Sequence, residues 1–192
     1  MGSCRIGGAP YGLVYPSQGG GLVAIRLIIT GGTFDKHYDE IQGKLTFKDT
    51  HLPEILERVR CTVEVRMELN QLIDSLEMRQ ANRLQILEAC RRTAERRIVI
   101  THGTDTMTDT ARVLGEASLD KVIVLTGAMI PYTFKNSDAV FNLGSSIVAV
   151  QLLSSGVYIA MNGKIFSWDN VAKDRGKGVF REAISPAVLV PD

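Results

Sequence analysis

The stretch Ile25-Arg26-Leu27-Ile28-Ile29, followed at once by Thr30-Gly31-Gly32-Thr33, decides the fold class of this 192-residue chain. The first five residues are a short run rich in branched apolar side chains, which is typical of a strand buried in a parallel sheet. The two glycines after it allow backbone angles that larger residues rarely adopt, so they predict a tight turn. The turn would place Thr33 at the carboxyl end of the strand.

Strands and helices alternate along the rest of the chain. The further predicted strands are 61–68, 98–100, 122–125 and 157–160, and the predicted helices are 53–60, 81–93, 108–117 and 137–154. This alternation predicts an α/β fold of three layers, with a mostly parallel, Rossmann-like sheet and helices on both faces. Because the crossovers in such folds are right-handed, the carboxyl ends of the strands line one edge, where ligands bind. We expect the turns 30–33, 101–106 and 126–129 to meet there.

Composition excludes several classes of protein. The 22 lysines and arginines nearly balance the 21 aspartates and glutamates, so a net charge of +1 gives no electrostatic reason to bind nucleic acid or an anionic membrane. The three cysteines, Cys4, Cys61 and Cys90, form no CxxC pair and predict reduced thiols in a cytoplasmic protein. Residues 1–24 are rich in glycine and lack the apolar core of a secretory signal. We expect a flexible leader there and a single domain over 25–192.

Sequence motifs for cofactors are also missing. Gly31-Gly32 has no third glycine in the GxGxxG spacing of dinucleotide-binding proteins, and no Gly-Lys pair is followed by the serine or threonine of a P-loop. The three histidines, His37, His51 and His102, lack the paired spacing of metal ligands. We therefore expect no cofactor and no metal, and structural roles for the histidines.

Hydroxyl and carboxyl groups at the predicted sheet edge are the candidates for chemistry. Thr33 follows the two glycines, and Thr104-Asp105 lies at a predicted helix amino terminus, where free N–H groups favour an anion such as a substrate carboxylate. Lys173 acts as a base only where its surroundings remove a proton from its ammonium group. Taken alone, each has a plainer interpretation. In that interpretation Thr33 caps a turn, Asp105 is an ordinary helix cap, and Lys173 is a solvated surface residue.

Six segments together resemble one family. Thr30-Gly31-Gly32-Thr33, His102-Gly103-Thr104-Asp105-Thr106 and Thr126-Gly127-Ala128-Met129 resemble the three successive signatures of the L-asparaginase/glutaminase family of threonine amidohydrolases. Asp74-Ser75 with Met78, Phe141-Asn142-Leu143 and Asp169-Asn170-Val171-Ala172-Lys173 are similar to further family segments in the same order. The resemblance runs from about Ile25 to Lys173, which is most of the chain.

The resemblance implies a role for each matching residue. Thr33 resembles the nucleophile, and Tyr38 resembles the mobile-loop tyrosine that contacts it. The implied second catalytic group is Thr104, Asp105 and Lys173. The implied substrate-binding residues are Asp74, Ser75, Asp105 and the backbone at Gly103 and Ala128.

The implied reaction is hydrolysis of the side-chain amide of L-asparagine to L-aspartate and ammonia through an ester on threonine. An amidase for another amide, such as L-glutamine, and a non-catalytic module that binds an amino acid are the alternatives. The resemblance also implies a homo-oligomer, either a dimer or a tetramer. The predicted helix 137–154 is apolar on much of its surface and would serve either as an interface or as a doubly covered core helix.

Two departures from the family pattern concern the substrate more than the reaction. Typical members have a second, smaller C-terminal domain that supplies an acidic residue to a neighbouring subunit's site, whereas this chain ends at Asp192. We therefore expect the compact type without that domain. Leu76 stands where the periplasmic-type enzymes carry glutamine.

Overall fold

Six strands form one twisted sheet at the centre of the computed structural model, which describes residues 24–184. The expected leader, residues 1–24, lies outside the described residues except for Ala24, which is buried. The strands of this sheet are β1 (Ile25–Gly31), β4 (Val65–Ile73), β5 (Arg97–Thr101), β6 (Val122–Thr126), β7 (Gly156–Met161) and β8 (Lys164–Ser167). Two hairpins lie outside it, formed by β2 (Lys36–Asp39) with β3 (Lys44–Phe47) and by β9 (Ala172–Asp174) with β10 (Val179–Arg181).

Four helices cover the sheet: α1 (Leu52–Arg58), α2 (Gln80–Arg92), α3 (Met107–Glu116) and α4 (Ala139–Leu152). Helices α2 and α3 pack on one face against alternate strand residues such as Ile28 and Ile100. Helices α1 and α4 pack on the other face against Leu27 and Val124. The predicted three-layer α/β architecture is therefore confirmed.

The order of strands is β4-β1-β5-β6-β7-β8, and all neighbouring pairs are parallel except β7 with β8. The sharp reversal into β8 occurs at Asn162 and Gly163, which have φ angles of 56° and 74°. Positive φ at two successive residues is the geometry of a tight hairpin turn. The sequence analysis missed this antiparallel edge strand, but the prediction of a mostly parallel sheet is confirmed.

The predicted strand 61–68 was wrong in its bounds. The chain leaves α1 through Arg60, which has a φ of 56°, and the backbone N–H of Cys61 still bonds back to the carbonyl of Leu56. Strand β4 begins only at Val65, where it pairs with Ile25 of β1. The start of the strand is thus set by pairing with a distant segment rather than by its own alternation of side chains.

Helix α4 is covered on one face only within the part of the chain that the structure describes. Leu143 and Ile147 are buried against the sheet, whereas Phe141 and Leu152 are 62% and 67% exposed. The alternative of a doubly covered core helix is therefore wrong for residues 24–184. No helix in that range is long and apolar enough to span a membrane.

Candidate active site

Three turns meet at the carboxyl edge of the sheet, as their positions after neighbouring strands predicted. The hydroxyl of Thr30 donates a 2.7 Å hydrogen bond to the carbonyl of Thr101, which joins the ends of β1 and β5. The backbone N–H of His102 donates a 2.8 Å bond to the carbonyl of Thr126, which joins the ends of β5 and β6. Buried backbone groups just beyond the strands are thus satisfied by the neighbouring turn.

The turns touch through glycine. Gly32 has a φ of 81°, and a Cβ placed on it would lie 2.3 Å from the backbone nitrogen of Gly103. A Cβ on Gly103 would in turn lie 2.5 Å from the hydroxyl oxygen of Ser75. Thr33 and Thr104 each follow one of these glycines, so the two threonines lie in turns that are in direct contact.

Lys173 is brought to this edge by the hairpin of β9 and β10, where it pairs with the buried Phe180. Its Nζ donates 2.8 Å hydrogen bonds to the hydroxyl oxygen of Thr104 and to Oδ1 of Asp105. The side chain of Lys173 is only 9% exposed. The structure therefore brings this predicted trio together, and Lys173 is not a solvated surface residue.

Ser75 packs against Gly103 and is buried. Its hydroxyl oxygen has no hydrogen-bond partner within residues 24–184, although its carbonyl accepts a 2.7 Å bond from the hydroxyl of Thr106. A buried polar atom without a partner carries a cost in free energy, and functional sites are where proteins retain one. The free hydroxyl is therefore a candidate contact for a ligand.

Asp74, the neighbour of Ser75, is already engaged by protein groups. Its Oδ2 lies 2.5 Å from the Nζ of Lys36, and its Oδ1 accepts a 3.0 Å bond from the backbone N–H of Leu76. Burial would raise the pKa of Asp74, but these two hydrogen bonds outweigh it and hold the pKa below its ordinary value. The carboxylate thus stays ionised, and its predicted contact with substrate stays a prediction.

Thr33 begins a single 3-10 turn that ends at Asp35 and leads into β2. Tyr38, in β2, is 57% exposed, and its phenol hydroxyl makes no hydrogen bond to Thr33 or to any other residue within 24–184. The predicted contact of Tyr38 with Thr33 therefore stays a prediction.

The buried ring of His102 stabilises the turn 101–106 from inside the protein. Its Nδ1 lies 2.8 Å from the carbonyl oxygen of Gly103, and its Nε2 lies 2.8 Å from the hydroxyl of Thr110. Complete burial lowers the pKa of His102 to about 4, so the ring is neutral near pH 7. A neutral ring that donates from Nδ1 to Gly103 and accepts at Nε2 from Thr110 satisfies both contacts. His102 thereby fixes the peptide group before Thr104.

The third turn is held by α4. The backbone N–H groups of Met129 and Ile130 donate to the carboxylate of Asp138, and the side-chain amide of Asn142 donates a 3.0 Å bond to the carbonyl of Gly127. Ala128 lies between them and is fully buried. Its predicted contribution is through its backbone, which this arrangement holds in place.

Asp35 was missed by the sequence analysis although it lies only two residues beyond Thr33. It is fully buried, and its Oδ1 accepts bonds from the hydroxyl of Thr50 and the backbone N–H of His51. Burial raises the pKa of Asp35 to about 6, against the opposing effect of these hydrogen bonds. The signal was present in the acidic residue of Thr33-Phe34-Asp35-Lys36. Its partners at positions 50 and 51 were not visible without the fold.

A sequence family model described as asparaginase, N-terminal, matches residues 24–180. The chain belongs to the asparaginase family. The predicted family resemblance is thereby confirmed. Within residues 24–184, no three His, Cys, Asp or Glu side chains are close enough to share a metal ion.

The sequence relatives match a smaller share of this asparaginase-family chain than the solved structures do. A glutaminase-asparaginase of Acinetobacter glutaminasificans is 41% identical over 86 residues, which is 43% of this chain and 25% of that protein. The thermostable L-asparaginase from Thermococcus kodakarensis superposes with a TM-score of 0.73 at 28% identity, over 85% of this chain and 52% of the other. A probable cytoplasmic L-asparaginase from Campylobacter jejuni gives 0.70 at 29% identity, over 83% and 51%. The chain thus spans about half the length of these solved structures.

Replacing Gly32 with alanine should destabilise the fold strongly, because the new Cβ would meet the backbone of Gly103 and the residue would keep a positive φ. Gly43→Ala is the matched control, since Gly43 also has a positive φ but no atom within 4 Å of the added Cβ. We expect about 1 kcal/mol lost in the control, and at least ~2 kcal/mol more in Gly32→Ala. Urea unfolding of both variants measures this. Equal losses would show that the turns do not touch.

Replacing Asp35 with asparagine should change how stability depends on pH. The folded pKa of Asp35, about 6, lies above its ordinary 3.8, so the folded state binds more protons than the unfolded state between these values. The wild type therefore loses stability as pH rises through this window, by at most about 3 kcal/mol, and asparagine removes the loss. Relative to wild type, Asp35→Asn should gain stability from pH 4 to pH 7. Urea unfolding at several pH values tests this, with the exposed Glu40→Gln as control. A constant difference would contradict it.

Proposed function

We propose that this chain hydrolyses the side-chain amide of L-asparagine to L-aspartate and ammonia through an ester on Thr33. The observation that carries the proposal is the contact of Lys173 with Thr104 and Asp105, in a turn that touches the turn of Thr33. Membership of the asparaginase family supports it, as do the names of the similar proteins.

The substrate binds where complementary groups remain available. The free hydroxyl of Ser75 donates to the α-carboxylate, beside the N–H groups at the start of α3. The partly exposed carboxylate of Asp105 pairs with the α-ammonium. The backbone at Gly103 and Ala128 borders the reacting amide. An amino acid with a side-chain amide satisfies all of these groups at once.

In the reaction, Oγ of Thr33 attacks the amide carbon, the C–N bond breaks, and the nitrogen leaves as ammonia after taking up a proton. Water then hydrolyses the ester and restores the threonine. A hydroxyl is a weak nucleophile until a base removes its proton. Tyr38 is the proposed partner of Thr33, and Lys173, oriented by Asp105, is the proposed proton carrier for Thr104. Such proton transfer contributes about 10²–10⁴-fold to a rate.

L-Glutamine is the second candidate substrate. The Acinetobacter relative is named a glutaminase-asparaginase, so one family member is named for both amides. In this chain the 64% exposed Leu76 follows the proposed carboxylate contact and can supply no hydrogen bond from its side chain. The selectivity between two substrates that differ by one methylene is therefore expected to be small, on the order of 10–200-fold.

We also propose that the chain forms a homo-oligomer in the cytoplasm and that residues 25–192 belong to one asparaginase N-terminal domain. The exposed apolar side chains of α4, Phe141 and Leu152 among them, support an interface between copies. The similar Campylobacter jejuni protein is described as a probable cytoplasmic L-asparaginase. Light scattering should give at least twice the mass of one 21.0 kDa chain. A single-chain mass at micromolar concentration would contradict the assembly.

Thr33→Ala and Thr104→Val should each lower the release of ammonia from L-asparagine by at least ~10³-fold, because one removes the nucleophile and the other the hydroxyl bonded to Lys173. Thr62→Ala, at an exposed loop position, should keep wild-type activity. A coupled ammonia assay with L-asparagine and L-glutamine in parallel measures this.

Each other result has a definite meaning. Full activity in both threonine variants would overturn the proposed mechanism. Calorimetric binding of L-aspartate without turnover of either amide would identify a non-catalytic module instead. Faster release from L-glutamine would exchange the two candidate substrates and keep the reaction.

A further inference from the structure

Lys36 and Asp74 form an ion pair beside the proposed nucleophile. The Nζ of Lys36 lies 2.5 Å from Oδ2 of Asp74, and the two side chains are only 20% and 27% exposed. The same Nζ lies 5.9 Å from the centre of the Phe47 ring across the hairpin. A partly buried pair with a second favourable contact is worth more than a solvated surface pair.

The pair connects the turn of Thr33 to the segment just after β4. On the other side of Thr33, the backbone N–H of Gly32 donates a 3.2 Å bond to the carbonyl of Ile73. Lys36 also donates its backbone N–H to the carbonyl of Thr33 itself, which closes the 3-10 turn. Thr33 is therefore bracketed by Gly32 and Lys36, both attached to the segment that leads into Ser75.

Ion pairing also fixes which face of the hairpin is turned toward β4. Alternate residues of a strand point to the same side, so Tyr38 shares a face with Lys36. His37 points to the opposite side, where its ring stacks 4.0 Å from that of His51 and its Nε2 lies 2.9 Å from Oδ1 of Asp49. The hairpin is thus held on both faces, and Tyr38 shares the face that Lys36 turns toward Asp74.

We propose that Lys36 and Asp74 are positioning residues, a pair that holds Thr33 at a fixed distance from Ser75 and keeps Tyr38 facing the substrate. The inference rests on the proposed function. It assigns Asp74 a role through Lys36 in place of the direct contact with substrate that the family resemblance implies. Both carboxylate oxygens of Asp74 have protein partners, which fits an internal role.

The pair should act on turnover more than on substrate binding. Ser75 is held independently, because its carbonyl accepts the hydroxyl of Thr106 and its side chain packs on Gly103. Loss of the pair therefore leaves the proposed carboxylate contact in place and loosens Thr33. Misplacement of a reacting group by about 1 Å costs up to ~10²-fold in rate.

A double-mutant cycle tests the pair. Lys36→Met and Asp74→Asn should each lower kcat by about 10-fold or more, with KM within about 3-fold of wild type. Because the two side chains act as one unit, the double variant should be no slower than the slower single variant. The exchanged pair, Lys36→Asp with Asp74→Lys, should recover part of the loss. Lys44→Met, an exposed lysine on the same hairpin, is the control and should match wild type.

Other outcomes overturn the inference. A raised KM in Asp74→Asn together with normal kinetics in Lys36→Met would show that Asp74 contacts the substrate itself. Losses that multiply in the double variant would show that the two residues act separately.

A measurement that does not depend on catalysis tests this inference separately from the proposed function. Amide hydrogen exchange over residues 36–47 should be faster in Lys36→Met and in Asp74→Asn than in wild type or Lys44→Met. Unchanged exchange would overturn the pairing even if the enzyme is active. Faster exchange in a protein that releases no ammonia from either amide would support the Lys36–Asp74 pair and refute only the proposed reaction.

Discussion

The close approach of backbone to backbone at Gly32 and Gly103 is the constraint on which the site depends. No side chain separates the turns after β1 and β5, because even a methyl group on Gly32 would overlap the next turn. Parallel neighbouring strands bring the two turns to one edge, and the missing side chains let them touch. The sheet and the two glycines therefore bring the backbones of Thr33 and Thr104 together at one edge.

The charged side chains at the site form two ion pairs, and the buried histidine beneath them is uncharged. Lys173 faces Asp105, and Lys36 faces Asp74, so each of these two lysines has a carboxylate within hydrogen-bond distance. Below them, His102 carries no charge near pH 7 because burial lowers its pKa. Because the opposite charges at the rim are paired, they give this edge no strong field of either sign.

The central strands and the edge where their turns meet were predicted better from the sequence than the two hairpins were. Branched apolar runs identified β1, β5, β6 and β7, and the turns beyond them were placed correctly because parallel strands share a direction. The bounds of β4 depended on pairing with Ile25, which no local pattern reveals. The burial of Lys173 depended on Phe180, a partner in a strand of only three residues, and short strands carry little periodic signal. The roles of Lys36 and Asp35 could not be predicted, because their partners Asp74, Thr50 and His51 are distant in the sequence.

The hairpin of β9 and β10 supplies Lys173 from the last described strands, whereas Thr33 comes from the first turn. At roughly 5–20 residues per second, synthesis on a ribosome would release Thr33 many seconds before Lys173. The strands β1, β5 and β6 are therefore synthesised before the lysine of the pocket. The pocket is complete only after β9 and β10 have emerged and paired, so its chemistry is among the last features that the described chain acquires.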